Sequence, residues 1–306
     1  MIYRYLMMCA YPSGITPPVY GAGSAIFGYG FNVAEFSLTN LVSNSGVVSG
    51  DVTGVGTARY QLAAASYGTD KAIFGYGVVV ATYVSMTNLV SNTGVVSGDV
   101  TGVGTDRSFL AAASYGTDKA IFGYGYYGGP YVSMTNLVSN TGVVSGDVTG
   151  VGTARGGLAA ASYGTDKAIF GYGYGGSYVS LTNLVSNTGV VSGDVTGVGT
   201  ARTALASSGY GGDKAIFGYG FYPFNYSLTN LVSNTGVVSN DVAGVGTTRK
   251  ELAAAGYGGD KAIFGYGTTG YYVSMTNLVS NTGIVANDVT GVGTTRKDLA
   301  AASFGG

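Results

Sequence analysis

Lys119-Ala-Ile-Phe-Gly-Tyr-Gly125 is the stretch whose reading decides the fold. Its core phrase, Ala-Ile-Phe-Gly-Tyr-Gly, occurs six times, with the phenylalanine at 27, 74, 122, 170, 217 and 264. Successive copies therefore stand 47 or 48 residues apart. On the N-terminal side of this stretch lies a small-residue phrase, Leu110-Ala-Ala-Ala-Ser-Tyr115, whose leucine recurs at 62, 158, 205, 252 and 299. On the other side run Thr-Asn-Leu-Val-Ser-Asn and then Gly-Val-Gly-Thr-x-Arg. Nearly everything from Gly23 onward is one unit copied six times, and a fixed period of this length marks a repeat architecture.

Within a unit the residues read as β-structure. Val, Ile, Phe, Tyr and Thr fit a pleated, half-buried surface, and here they fall in short runs broken by Gly, Asn-Thr-Gly and Gly-Thr-Asp. The pattern predicts four strands in one unit: 108–115, 119–124, 131–138 and about 143–148. Four short strands per 47–48 residues, six times over, is the arithmetic of a propeller blade. The chain enters the repeat at the Ile-Phe-Gly-Tyr-Gly strand and ends on Leu299-Ala-Ala-Ala-Ser-Phe-Gly-Gly306, so the last strand supplies the one missing from the first unit. The expected fold is all-β, a six-bladed β-propeller of four-stranded blades, its ring closed by the C-terminal strand joining the first blade. An open solenoid is the rival, and it would want distinct polar end caps. Residues 23–306 form this domain, and 1–22, with Pro12, Pro17 and Pro18, read as an N-terminal extension or tether.

Composition narrows function. The 306 residues include 55 Gly, of which forty recur at the same turns or strand crossings of the unit, so the excess is register rather than disorder. Only 9% of residues are charged and the net charge is −1, with no basic run to attract nucleic acid. There is no His, which removes Ser-His-Asp, Cys-His and His-ligated zinc chemistry. A lone Cys9 gives neither a disulfide framework nor a cysteine metal site. No apolar run is long enough for a membrane helix, and no cofactor is expected. An enzyme is not expected either.

The charges sort into rings. Asp51, Asp99, Asp147, Asp194, Asp241 and Asp288 recur once per unit, as do Arg59, Arg107, Arg155, Arg202, Arg249 and Arg296. Equal numbers at fixed registers point to structural pairing or turn capping. A cation-binding carboxylate ring is the competing reading.

The copies also differ, in two places. One follows Phe-Gly-Tyr-Gly and carries Tyr83, Tyr126, Tyr127, Tyr131, Tyr174, Tyr178, Tyr222, Phe224, Tyr226, Tyr271 and Tyr272; the other follows the arginine, as in Ser108-Phe109 or Lys250-Glu251. In an up-and-down blade both connections emerge on one face, while the invariant Thr-Asp-Lys and Asn-Thr-Gly turns occupy the opposite one. Exposed Tyr with Gly, Ser and Asn suits an adaptable recognition surface, so these aromatic residues are the candidate ligand-binding set. Free drift of loops over the blade edges is the bland alternative.

Arg155-x-x-Leu-Ala-Ala-Ala-Ser162, Lys167-Ala-Ile-Phe-Gly-Tyr-Gly173, Tyr178-Val-Ser-Leu181 and Asn187-Thr-Gly189 together resemble a kelch repeat in all six units. The sequence departs from kelch in having Gly-Tyr-Gly for the glycine doublet and no Trp. The phrasing Thr-Asn-Leu-Val-Ser-Asn-Thr-Gly-Val-Val is also similar to repeat arrays in virion proteins of tailed bacteriophages. That resemblance implies a structural or tail-fibre-like adhesion component located in the virion, with other virion proteins and a host-surface glycan or protein as partners. A free secreted lectin and a pure scaffold within a virion are the alternatives.

Overall fold

The computed structural model describes residues 22–306; the expected tether lies outside the described residues but for Ala22. Those residues form an all-β repeat array of six three-stranded antiparallel sheets, and no helix occurs among them. In the unit quoted above, the first strand is Ala111–Tyr115, the second Lys119–Tyr126 and the third Tyr131–Val138. The register runs Ala111↔Gly123 to Tyr115↔Lys119, and Ala120↔Val138 to Tyr126↔Tyr131. In the first unit the sequence-last strand, Ala300–Phe304, pairs with Ser24–Asn32, from Ser24↔Phe304 to Gly28↔Ala300. The strand missing from the start of the repeat is thus supplied by its end.

The expected fourth strand is a correction. The segment 143–148 makes only isolated bridges, Val138↔Val144 and Thr135↔Val148, whose registers differ by one residue. Between them the Ser145 hydroxyl accepts the Leu137 N–H at 2.9 Å, where a ladder carbonyl would otherwise stand, while the Ser145 N–H donates to Leu137 O. A side chain has entered the ladder, and the extra residue bulges the edge out of regular pairing. The expected first strand also starts three residues late, at Ala111, because Phe109 adopts φ +54.

The six first strands lie side by side around one centre, each beside the next, and Ala300–Phe304 beside Ala63–Tyr67. They line a narrow channel of about 90 Å³. Alanine suits a place where six strands converge, since larger side chains have no room there. Two cycles of backbone hydrogen bonds run round this centre. At one end Gln61, Phe109, Gly157, Ala204, Glu251 and Asp298 each donate an N–H to the carbonyl of the preceding member, and Gln61 donates to Asp298. At the other end Gly68 donates to Asp118 O, Gly116 to Asp166, Gly164 to Asp213, Gly211 to Asp260, Gly258 to Gly23 and Gly305 to Asp70.

Packing between sheets explains the signature phrase. A Cβ on Gly123 would stand 2.7 Å from Cζ of Phe170 in the next unit, and the same clash recurs from Gly28 against Phe74 to Gly265 against Phe27. The first glycine of Phe-Gly-Tyr-Gly is therefore the seat of the neighbouring phenylalanine. The tyrosine that follows takes a positive φ, +64 at Tyr124, and a bulge shifts the register between Gly123 and Gly125. That turn drives Tyr124 into the interface, its ring 5.0 Å from Phe170. Such aromatic pairs contribute about 0.5–1.5 kcal/mol beyond their area, and this one repeats between every pair of neighbouring sheets.

Candidate recognition face and the clamp beneath it

The segment joining one sheet to the next carries the arginine, and all six guanidinium groups are fully buried. Arg107 is representative. Its Nε donates to Tyr124 O at 2.9 Å, one terminal nitrogen to Thr105 O at 3.1 Å and the other to Asn136 Oδ1 at 2.5 Å. Its Cζ sits 4.4 Å over the Tyr76 ring of the preceding unit. Asn136 donates onward to Asp147, which accepts the backbone N–H and hydroxyl of Thr105 and stands 3.8 Å from Arg107. Each connector is thus clasped by the sheet that follows and stacked on the one before. The last clasp, Arg296 with Tyr29 O, Asn40 and the Thr294-bound Asp51, joins the two ends of the repeat.

Burying a cation is costly unless it is fully hydrogen-bonded, and here donors, acceptors and a ring face meet that requirement. Burial lowers the affinity of Arg107 for its proton, and the facing Tyr76 and Asp147 oppose that. At Asp147 burial pushes the carboxyl up, but hydrogen bonds from Thr105 and Asn136 with the Arg107 charge outweigh it and hold the group below the usual carboxylate range. Each ring aspartate is engaged in the same way, with protein donors on its oxygens. Among the described residues no three His, Cys, Asp or Glu side chains gather as metal ligands.

The two variable segments meet. Tyr60 bridges Val78, Ser108 bridges Tyr126, Gly156 bridges Tyr174, Thr203 bridges Phe221, Lys250 bridges Thr268 and Lys297 bridges Phe31. The arginine positions one segment and the Phe-Gly-Tyr-Gly bulge the other, so the invariant clamp holds up the variable face. The more uniform turns gather elsewhere: Asn140 of one unit donates to Asp118 at 3.1 Å, and Gly68 lies against Asn140 O.

On the variable face six of the tyrosines singled out by sequence form one unbroken strip. Tyr83 and Tyr126 stand 5.9 Å apart, Tyr126 and Tyr131 5.2 Å, Tyr131 and Tyr174 5.7 Å, Tyr174 and Tyr178 4.8 Å, and Tyr178 stacks on Tyr222 at 3.8 Å. The strip crosses four units. Tyr127, Phe224 and Tyr271 are exposed, and Tyr226 and Tyr272 half-buried, outside that run. Burial raises the Tyr131 hydroxyl pKa, with neighbouring Tyr174, Tyr126 and Tyr178 adding to it, so Tyr131 stays protonated and neutral at ordinary pH.

Beside the strip lies a groove of about 210 Å³ lined by Tyr131, Tyr174, Tyr178, Phe109, Phe221, Lys250 and Glu251 over Gly156-Gly157. A Cβ on Gly156 would come 3.2 Å from the Tyr131 ring, so the glycine lets that ring lie across the floor. Lys250 Nζ rests 4.3 Å over the Phe221 ring and 3.5 Å from Glu251, whose other oxygen binds Lys297 at 2.7 Å. Asp298, buried beside this group, has its carboxyl pushed up to about 7 by burial and by the Glu251 charge, with Lys297 and Gln61 pulling the other way. Phe109, Phe221, Lys250 and Glu251 sit in the segments where the copies differ, but nothing local in the sequence distinguishes them from loop drift. No protein-family model matches the chain, and no curated protein matches it.

Proposed function

We propose that this protein is a non-enzymatic adhesion component of a phage particle: a closed, kelch-like, six-bladed propeller that presents its variable face to a glycan on a host surface and is anchored to other virion proteins. Closure of the ring is supported by the pairing of Ser24–Asn32 with Ala300–Phe304 and by the two returning cycles of hydrogen bonds. The virion setting rests on the likeness of the repeat phrasing to phage virion arrays.

The groove beside the tyrosine strip carries the reading of ligand. Tyrosine offers an apolar ring face to the C–H face of a pyranose while its hydroxyl bonds outward. The glycine floor admits a flat ring, and Glu251 and Lys250 supply an acceptor and a donor for sugar hydroxyls. A strip crossing four units offers several shallow contacts to one polysaccharide, and weak contacts combine into avidity when they engage together.

A glycan array tests this. The wild-type chain is expected to bind a restricted set of glycans. Tyr131→Ala, Tyr174→Ala and Tyr178→Ala are each expected to weaken binding by at least about tenfold, or 1.4 kcal/mol, whereas Val237→Ala, at an exposed turn outside the tyrosine set, leaves it unchanged. Binding that survives all three changes overturns the assignment to this face. Capture of other particle proteins with no glycan bound favours the scaffold reading instead.

A further inference from the structure

The opposite end of the channel departs from the six-fold pattern at four positions in two neighbouring units. Most first strands carry a serine in their fourth place, and its hydroxyl donates to a carbonyl of the neighbouring strand. Ser66 donates to Ser303 O at 2.8 Å, Ser114 to Ser66 O at 2.8 Å, Ser162 to Ser114 O at 3.0 Å and Ser303 to Gly256 O at 2.8 Å. In two consecutive units this place is Gly209 and Gly256, and the relay stops. The following turn changes with it: Thr69, Thr117 and Thr165 give way to Gly212 and Gly259.

Backbone conformation favours half of this: the position has φ near +80 at Gly212 and Gly259 and near +70 at Thr69, Thr117 and Thr165, so glycine relieves a strain the threonines carry. Gly209 and Gly256 do not have positive φ. A Cβ on Gly209 would meet only Ser162 O at 3.4 Å and Lys214 O at 3.6 Å, both ordinary contacts. On Gly256 it would meet the movable Ser303 hydroxyl at 3.1 Å. Neither crowding nor conformation requires glycine there, and the consequence is space. A cavity of about 210 Å³ opens at this mouth of the channel, bounded by both glycines, Ser162, Lys214, Lys261 and Ser303.

The chemistry of that space is polar and nearly neutral. Ser162 O has lost the serine hydroxyl that its counterparts accept, and Gly209 O is left with a 3.2 Å contact from Ser208 within its own strand. Lys214 and Lys261 hold Asp213 and Asp260 at 2.7 and 3.0 Å, so their charges are balanced, yet each ammonium keeps protons for further acceptors. The volume equals about seven waters at about 30 Å³ each.

We infer that this cavity is a binding site for a small neutral polyol, of the size of one monosaccharide. Its hydroxyl protons replace the two absent serine hydroxyls on Ser162 O and Gly209 O, and its oxygens accept from Lys214 and Lys261. The site lies at the other end of the channel from the tyrosine groove and does not depend on it.

The test restores the relay. Gly209→Ser with Gly256→Ser rebuilds what Ser66, Ser114 and Ser162 already make in the same fold, and a second variant, Lys214→Met with Lys261→Met, removes the donors without filling the space. Saturation-transfer NMR with glycerol, glucose and N-acetylglucosamine is read on each folded chain. Each chain also carries Tyr131→Ala, Tyr174→Ala and Tyr178→Ala, so that the tyrosine groove does not contribute; in that background transfer to at least one probe is expected, weakened at least about tenfold in both variants. No transfer to any of the three probes, or transfer undiminished in the serine variant, overturns the inference.

Discussion

The two ends of the channel are built from one unit, yet they obey opposite rules. At one end the Thr-Asp-Lys and Asn-Thr-Gly turns are nearly the same in all copies, departing together at Gly209, Gly212, Gly256 and Gly259. At the other no two copies agree: the loop after Phe-Gly-Tyr-Gly is Tyr126-Tyr-Gly-Gly-Pro-Tyr131 in one unit and Thr268-Thr-Gly-Tyr-Tyr272 in another. The difference teaches where the fold stores its stability. The clamp of arginine, asparagine and aspartate lies between the ends and fixes the connectors whatever residues follow them, so the variable face is free to change. Its backbone cycle tolerates Gln61, Phe109, Gly157, Ala204, Glu251 or Asp298 at equivalent places because only the N–H and carbonyl take part.

That contrast can be broken deliberately. The largest effect belongs to the clamp: Arg155→Ala leaves Tyr172 O, Asn183 and Asp194 without their buried partner, and the expected loss is about 3–5 kcal/mol in urea unfolding. Second comes the packing seat. Gly123→Ala places a methyl against the Phe170 ring, and overpacking of this kind costs about 1–3 kcal/mol, read from the same unfolding curves.

A smaller and more diagnostic effect is the opposed pH dependence of the two regions. The clamp aspartates have lowered pKa values, so as pH falls below about 4 the unfolded chain takes up protons first and stability declines. Asp298 has the opposite sign. Its carboxyl stays protonated in the folded chain up to about 7 against an ordinary 3.8. The unfolded chain therefore releases that proton first as pH rises, and stability declines between those values. Asp298→Asn is expected to flatten the urea midpoint from pH 4 to 7 while leaving the acid decline intact; a slope unchanged by the substitution would refute the assignment. The smallest effect is at Tyr271, 85% exposed and outside the tyrosine strip, where Tyr271→Ala is expected to shift stability by no more than about 0.5 kcal/mol.

Much of the fold was legible. The six-fold period, the β-strands at 119–124 (which runs on to Tyr126) and 131–138, and the exchange of the last strand into the first sheet follow from Ile-Phe-Gly-Tyr-Gly and its spacing. The fourth strand was misread because Val143–Val148 has strand composition, and composition does not reveal that the Ser145 hydroxyl takes a ladder position. The candidate site was legible by type: all six tyrosines of the strip stand in the segment where the copies differ. Their continuity was not, because rings on four units meet only after the clamps set the angles between sheets.

The sequence by itself determined the repeat, its strands and the places where copies may differ, since these depend on local periodicity and on glycines recurring at fixed turns. Only the tertiary structure decided which residues of separate units touch. Arg107 finds Tyr76 and Asn136, Tyr178 finds Tyr222, and Gly209 leaves Ser162 O without the serine hydroxyl that its counterparts accept. Contacts of that kind are set by how neighbouring sheets pack, and residues about 30 to 50 apart in the chain carry no local signal of which partner they will meet.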